Sequence, residues 1–448
     1  MVVEIDRSTR HIVALNADSA YASTLSALLE NGDKISAGKS MSVGSDRDFR
    51  EILNFSVKIE NPSDKLIFNA NRRINLPGAV ARFVWMMAGS ERLADIAFYE
   101  PKVRFFSDDG ITVPGSSYGH RMLRPRPGLN QLEAVIGRIR DDTHTRRAAI
   151  SIYHPGDASR KSSDIPCVFG LAYNVREGGL HATTLMRSNN SFILLPYNMF
   201  EFALVAEVVA SEVNVPLSSM THTAISMHLY ESDLERAKET IKSCPSVDNL
   251  PSVPTPPKDP SPLEQVRSLV RMEAELRHEA SGLSAGDVEK HISKAESNLH
   301  EYWSQFYLLL LLHASRTKSK ILRSSWSEAS VAMKSIRSAL EEPWISYLND
   351  DQLSPPAESD RGSHSIDDKS RHTADLFDRR PSTLPSFNKR IRKELEKVAQ
   401  TYETKTDERI TWQEFLTIEK DFGRRLAARN GSSISLNEFE EALNSIRE

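Results

Sequence analysis

Two apolar runs, CVFGLAYNV at 167–175 and GLHATTLMR at 179–187, meet at an Arg-Glu-Gly-Gly turn, and the apolar stretch FEFALVAEVVASEVNV at 200–215 follows closely. This succession constrains the fold more than any other feature of the chain. The first two runs are dense in Ala, Val, Leu and Tyr and are broken only by turn residues, which predicts a hairpin in a half-buried sheet. The third is too long for a strand and rich in helix formers, which predicts a buried helix. RRAAISIYH at 146–154 is a further strand-like run. Residues 1–242 therefore read as an α/β (α+β) sheet domain, followed by helical extensions.

Proline marks the next division. SCPSVDNLPSVPTPPKDPSP, 243–262, removes backbone donors repeatedly, so neither helix nor central strand should continue through it. Ser261, Pro262 and Glu264 then occupy N-cap, N1 and N3 positions and predict a helix running to about His278. The stretch from Asp287 to about Ala339, with WSQFYLLLLLHA at its apolar centre, predicts a helical bundle or two long antiparallel helices within a domain over 263–350. Residues 351–387 have the polar, proline- and serine-containing composition of a linker. The remainder, 388–448, reads as a small helical domain. In it Thr411 with Glu414 and Ser435 with Glu438 match the reciprocal capping pattern, and ITWQEF and ISLNEF repeat faintly in the manner of a degenerate EF-hand pair. Calcium is not expected there, because the early loop positions are Glu403, Lys405 and Asp407 in one loop and Ala427, Arg429 and Gly431 in the other, which lack the oxygen ligands and the turn glycine. No metal site is assigned.

Composition excludes several classes. The 448 residues carry 57 Lys plus Arg against 61 Asp plus Glu, a formal charge of −4, so no global field would hold nucleic acid or an anionic membrane. Any anion site must be local. Cys167 and Cys244 are the two cysteines, which rules out a disulfide scaffold and suits a reducing compartment. The start, MVVEIDRSTRHIVALN, shows neither signal nor transit pattern, and the run Phe306 to Leu312 is far shorter than the roughly 20 residues of a membrane crossing. The expectation is a cytoplasmic, intracellular protein.

Residues suited to chemistry concentrate between 114 and 230: Tyr118, Arg146, Arg147, Cys167, Arg187, Ser188, Asn189, Asn190, Asn198, His228 and Tyr230. Guanidinium forks match phosphate oxygens, and Arg187 followed by Ser188 is the best local candidate for such a site. A thiol such as Cys167 becomes a nucleophile when nearby positive charge lowers its pKa. Taken singly, each of these residues also has a structural reading, as a surface arginine, a core-filling tyrosine or histidine, or an inert buried thiol.

DIPCVFGLAYNV at 164–175 followed by LMRSNNSFILLPYN at 185–198 resembles the thymidylate synthase family. PGSSYGHRM at 114–122, THTRRAAISIY at 143–153 and SMHLY at 226–230 lie in matching order, and NRRINLPGAVARFVWMMAG at 71–89 aligns to the family's early helix. The resemblance spans about residues 40 to 235. It implies that Cys167 adds to C6 of a pyrimidine nucleotide and makes C5 nucleophilic toward a one-carbon unit from 5,10-methylenetetrahydrofolate. It places Arg187 and Ser188 on the nucleotide phosphate, with Arg146 and Arg147 reaching the phosphate site of a neighbouring subunit, so a homodimer is implied. Arg47 or Arg50 would stand in for the arginine of an unrecognisable early phosphate loop. Asn198 matches the asparagine that reads the pyrimidine edge and leans toward uracil. His228 and Tyr230 match the pair that bonds the sugar, and Tyr118 a tyrosine that handles protons near the thiolate.

The departures from the family pattern are equally specific. Arg82 stands where a glutamate organises water and proton transfer, Val168 where a histidine follows the cysteine, and Met186 where a glutamine precedes the arginine. Asn190, counted with the substrate-binding residues, replaces an aspartate, and Leu194 replaces a glycine. After Tyr230 the family's closing segment gives way to ESDLERAKETI. The leading expectation is a divergent C5 one-carbon transferase, a hydroxymethylase or methyltransferase, acting on a pyrimidine nucleoside monophosphate. Methylation is weakened more by these losses, since it also needs a hydride. The alternatives are a nucleotide-binding sensor or regulatory protein with altered catalysis, or an interaction protein whose helical extensions engage a protein partner. The mixed charges of SFNKRIRKELEK give little support to nucleic acid.

Overall fold

The computed structural model describes residues 10–36, 48–245 and 250–355, together with 398, 401, 402, 406 and 436–447. From the N-terminal side its elements are β1 (His11–Ala14), α1 (Ala17–Asn31), β2 (Asp33–Ile35), β3 (Phe49–Ile59), α2 (Leu76–Ala88), α3 (Leu93–Ala97), α4 (Tyr118–Leu123) and α5 (Gln131–Asp141). They continue with β4 (Ala149–Ser151), β5 (Val168–Arg176), β6 (Gly179–Asn190), α6 (Leu195–Glu212), β7 (Leu217–Tyr230) and α7 (Leu234–Lys242). The strands form one mixed, seven-stranded sheet in the order β1-β3-β7-β6-β5-β4, with β2 paired to β3. The α/β expectation holds.

The hairpin forms as its sequence requires. Glu177 and Gly178 have φ of 51° and 77°, the left-handed pair of a two-residue turn that matches strand twist, and Arg176 faces Gly179 across it. The run at 146–154 is a strand only over Ala149–Ser151. Helix α6 starts earlier than its apolar stretch, with Pro196 in its first turn, and stops before Asn214, whose φ is 59°.

Burial changes phase at one level across three neighbouring strands. On β7, Met220, His222 and Ala224 are buried, then Met227 and Leu229; on β6, Thr184 and Met186, then Asn189; on β3, Val57 and Phe55, then Ile52. The pairing stays in register through this level, with Phe55 opposite Ala224 and Leu53 opposite Ser226. An aligned irregularity of this kind re-aims side chains without breaking the ladder. It falls at Asn54, whose φ is 55°, and at Arg187 and Ser188 on β6. The sheet face away from the core leaves Val13, Leu53, Leu185 and Ile225 exposed by 40–49%.

Beyond the proline-rich join come α8 (Pro262–Glu279), α9 (Ala285–Asn298), α10 (Glu301–Thr317), α11 (Lys320–Ser324), α12 (Trp326–Ala339), α13 (Trp344–Tyr347) and α14 (Asp350–Leu353). Ser261 caps α8 by accepting from the Glu264 N–H, as its spacing predicted. The 287–339 region is a bundle rather than two long helices, because the caps His300, Ser319 and Ser325 restart the chain three times. This bundle covers α2: α8 and α10 both pack on it, and Trp303 stacks on Phe83 with ring centroids 6.2 Å apart. The described residues on either side of the join belong to one compact unit.

The second unit contains α15 (Leu436–Arg447), where the Tyr402 and Phe439 rings lie 6.1 Å apart. The expected linker beyond Pro355, Thr411 with Glu414, Ser435 and the EF-like loop positions lie outside the described residues. No helix among the described residues is long and apolar enough to cross a membrane.

A buried charge pair joins the bundle to the sheet domain. Lys65 Nζ donates to Glu207 Oε1 at 2.9 Å with both side chains almost fully buried, and the Tyr302 hydroxyl donates to Glu207 Oε2 at 3.0 Å. Removing one partner of such a pair strands a charge, whereas replacing both with apolar groups is often neutral. Lys65→Met is therefore expected to cost about 3–5 kcal/mol in urea unfolding, and Lys65→Met with Glu207→Leu to recover most of that loss. A double variant no more stable than the single one would show that the charges themselves are needed.

Candidate active site

Cys167 lies directly before β5, and two long-range ties hold its loop. Asp164, 3% exposed, accepts from the Gly115 N–H at 2.6 Å and from the Ser116 hydroxyl, which pins the PGSSYGHRM segment against the cysteine segment. The approach is so close that a Cβ on Gly115 would sit 1.8 Å from the Asp164 carbonyl oxygen, so only glycine fits there. On the other side, Arg187 donates from Nε to the Pro166 carbonyl at 2.8 Å and from Nη2 to the Ile165 carbonyl at 2.9 Å, while its backbone N–H reaches the Cys167 carbonyl at 2.8 Å. Burial pushes the Cys167 thiol above its ordinary pKa, with the Arg187 charge opposing the rise and Asp164 adding to it. The resting form is the thiol, and a nearby cation is already in place to favour the thiolate.

The ends of β6 and β7 form the adjoining wall. Ser188 Oγ lies 3.3 Å from His228 Nδ1, and Asn190 pairs with His228 in the strand register. Burial pulls the His228 imidazole down to about 4, so it is neutral at pH 7. His228 and Tyr230 meet edge to face at 5.2 Å, and Phe49 packs on both. Asn190 Oδ1 accepts from the Ile193 N–H at 2.9 Å, which fixes the turn into α6. Arg72, 1% exposed, donates to the carbonyls of Phe192 and Ile193 and holds the same turn from behind.

Helix α6 presents the third wall. Asn198, Glu201 and Phe202 share one face by their three- and four-residue spacing. Tyr118, at the start of α4, stacks on Phe202 with centroids 6.2 Å apart. Burial pushes the Tyr118 phenol well above its ordinary pKa. The groups it feels most are Cys167, Arg82 and Glu201, and it is hydrogen-bonded to the Cys167 backbone. Arg82, on α2, donates to Glu201 from both Nε and Nη2. Desolvation lowers the Arg82 pKa, but the Glu201 charge and hydrogen bond more than offset this, so Arg82 stays a cation; burial pushes the Glu201 carboxyl up, with the Arg82 charge and hydrogen bond opposing the rise. Arg82 is therefore not a bare cation, because an acid from another helix meets it. Arg82, Trp85, Met86, Ser116, Tyr118 and Glu201 line a small cavity, and the buried Trp85 Nε1 has no hydrogen-bond partner.

Asn198 is 3% exposed and leads inward. Its Oδ1 accepts from Asn189 Nδ2 at 2.9 Å, and Asn189 Oδ1 lies 2.9 Å from His222 Nε2. Sequence reasoning overlooked Glu201, Asp164 and His222. One signal was available for the first: an acid inside the apolar run FEFALVAEVV must find a partner if that helix is buried.

Other expected site residues stand apart. Arg146 and Arg147 are exposed between α5 and β4. Arg50 is engaged elsewhere, donating to the Leu29 carbonyl at 2.7 Å and to Glu231 at 3.3 Å, and Arg47 lies outside the described residues. Cys244 is the other free thiol.

A thymidylate synthase family profile matches residues 19–267. A Methanothermobacter marburgensis protein described as "Putative thymidylate synthase" is 32% identical over 200 residues, covering 43% of this chain and 83% of that one. The "Deoxyuridylate hydroxymethyltransferase" of Bacillus phage SP01 is 27% identical over 229 residues, covering 48% of this chain and 57% of its own. The structure of thermostable thymidylate synthase A from Bacillus subtilis aligns with a TM-score of 0.44 at 17% identity, over 50% of this chain and 84% of that one.

Burial sets a pH dependence. His222 is fully buried, and desolvation pulls its pKa from 6.5 down to about 4. The unfolded chain therefore takes up this proton first. The stability contributed by the neutral imidazole is complete above pH 6.5, lost as pH falls toward 4, and on the order of 3 kcal/mol in total. Urea unfolding of the native protein and His222→Gln at pH 7, 5.5 and 4.5 should show a shallower acid loss in the variant. Parallel losses would mean that His222 does not titrate in this way.

Proposed function

The chain belongs to the thymidylate synthase family, and on that premise we propose that it is an enzyme transferring a one-carbon unit to C5 of a uracil nucleoside monophosphate, with Cys167 as the attacking thiolate. The observation that carries the reading is the double fastening of Cys167, by Arg187 on one side and by Asp164 with the Tyr118 segment on the other. A thiol that merely filled space would need neither tie.

In this reading the Cys167 sulfur bonds to C6 of the pyrimidine and the ring electrons move toward O4, which leaves C5 nucleophilic. Arg187 and Ser188 hold the phosphate. Arg187 gives Nε and Nη2 to the protein's own carbonyls, which leaves Nη1 for the anion. Asn190 steadies the turn beside the base, His228 and Tyr230 receive the sugar hydroxyl, and Tyr118 moves the proton at C5. Asn198 reads the base edge through one donor and one acceptor.

At the positions of the family's aspartate and glycine, Asn190 Oδ1 is already used by Ile193 and Leu194 offers only an alkyl group. A reduced pterin would have to lie beside C5, where the small cavity nearby offers Trp85 Nε1 without a partner while the Ser116 hydroxyl is held by Asp164 and Glu201 by Arg82. Methylenetetrahydrofolate, when bound, supplies the one-carbon unit there. Whether the product is hydroxymethyl or methyl depends on whether water or a hydride completes the transfer. The exposed Arg146 and Arg147 suit a role in the phosphate site of a second copy, and the open sheet face with Leu53, Leu185 and Ile225 suits the surface on which that copy docks.

Two measurements test this. Native protein should release tritium from C5-labelled dUMP or UMP in preference to dCMP or CMP, release should be lost in Cys167→Ala, and mass spectrometry of the product with methylenetetrahydrofolate identifies the group added. Nucleotide binding without release would point instead to a sensor. Mixing inactive Cys167→Ala with inactive Arg146→Ala/Arg147→Ala after dissociation should restore about a quarter of native activity, since half the random dimers would carry one intact site. No recovery would place the arginines in their own subunit's site or outside it.

A further inference from the structure

We propose that Arg277, on helix α8 beyond the proline-rich join, is a positioning residue for the candidate active site: its ion pair with Asp95 fixes Ser90, and Ser90 holds the segment that carries Tyr118. The proposal rests on the transfer reading above and adds to it a role for the helical bundle.

The site end of this strut is the short connection between α2 and α3. Helix α2 ends at Gly89, whose φ is 59°, and the residues after it hold the Tyr118 segment at three points. The Ser90 carbonyl accepts from the Ser117 hydroxyl at 2.7 Å, the Glu91 carbonyl accepts from the Val113 N–H at 2.9 Å, and the Leu93 N–H donates to the Ile111 carbonyl at 2.8 Å. Ser117 is fully buried, and its oxygen also accepts from the His120 N–H, which makes it the cap of α4. A hydroxyl that donates to Ser90 and accepts from the first turn of α4 sets where that helix begins, and Tyr118 is its first residue. Little slack remains, since a Cβ on Gly119 would lie 1.8 Å from the Met86 carbonyl oxygen.

The bundle end is a planar fork held between two acids. The Ser90 hydroxyl donates to Asp95 Oδ2 at 2.6 Å, and Asp95 Oδ1 accepts from Arg277 Nη1 at 2.8 Å. The same guanidinium donates from Nε to Glu273 Oε1 at 2.7 Å and from Nη2 to Glu273 Oε2 at 3.3 Å, while the Tyr99 hydroxyl donates to Glu273 Oε1 at 3.0 Å. Glu273 thus fixes the plane of Arg277, and the one remaining nitrogen fixes Asp95. The side chains of Arg277, Asp95 and Glu273 are 21%, 14% and 9% exposed, so solvent screens this network far less than an ordinary surface pair. Arg92, at 4.0 Å from Asp95 and mostly exposed, is too distant to take over. The nucleotide walls are fastened differently: Arg187 rests on the carbonyls of Ile165 and Pro166, and Ser188 on His228. Loosening the strut should therefore displace Tyr118 and leave nucleotide binding intact.

The test separates kcat from KM for C5 tritium release from dUMP or UMP, whichever the native protein uses. It compares native protein, Arg277→Met, Ser117→Ala, the double variant and Arg267→Met, which removes the exposed α8 pair with Glu133 and should match native. Arg277→Met should lower kcat about tenfold with KM within twofold of native, because a small misplacement of a reacting group costs rate rather than affinity. Arg277 and Ser117 share no partner, so independent effects would multiply. A strut instead predicts that Arg277→Met lowers kcat less than about twofold further once Ser117→Ala has cut the link. The full loss repeated in the Ser117→Ala background, or a kcat in folded Arg277→Met within twofold of native, would overturn the proposal. Should Arg277→Met fail to fold, Ser90→Ala cuts the same chain at its middle and takes its place. If native protein releases no tritium, the transfer reading fails, and the strut is read from alkylation of Cys167 by iodoacetamide in a Cys244→Ser background, since the Tyr118 segment also pins the Cys167 loop through Asp164. The rate should rise severalfold in Arg277→Met and no further in the double variant, and an unchanged rate would equally overturn the strut.

Discussion

The guanidinium of Arg187 on the carbonyls of Ile165 and Pro166 is the contact on which the site depends. Cys167 has no regular structure before it, and a loop residue without such a tie would sample many positions. Arg187 converts the loop into a fixed extension of β6 and places a cation near the sulfur. The geometry requires Arg187 to point toward the cysteine segment, and the aligned change of burial phase across β3, β7 and β6 occurs at that level. The irregularity and the candidate thiol belong to one arrangement.

Buried charges organise the rest. Helix α6 is apolar on nearly every face, yet carries Glu201 and Glu207, and each meets a cation from a distant segment: Arg82 from α2 and Lys65 from the stretch before it. The two pairs have different consequences. Lys65 with Glu207 and Tyr302 ties the helical bundle to the sheet domain, whereas Arg82 with Glu201 lies beside Tyr118 on the cavity wall. The bundle contributes to the site indirectly, by packing Trp303 on Phe83 and so fixing the helix that presents Arg82.

Much of this could be read locally. The turn at 176–179 announced its hairpin because its two central residues must adopt positive φ, and glycine at 178 makes that inexpensive. Ser261, Pro262 and Glu264 announced a helix start because capping is decided within four residues. The motifs at 164–175 and 185–198 marked the candidate thiol and the candidate anion site through family likeness. The single-strand reading of 146–154 was too long, since pairing to β5 rather than apolar content limits β4 to Ala149–Ser151.

The sequence by itself determined the elements whose causes are short-range: the hairpin, the capped helices, the candidate thiol and its arginine. Tertiary structure alone decided which buried polar groups are partners. Arg82 read in isolation is an unmatched cation in an apolar helix, and only packing shows that Glu201, 119 residues away, answers it. Asn189 and His222 carry no pattern in the chain, yet they meet Asn198 in a dry interior. The physical reason is that burial makes every unpaired polar group costly, and the fold, not the local sequence, selects the group that removes that cost.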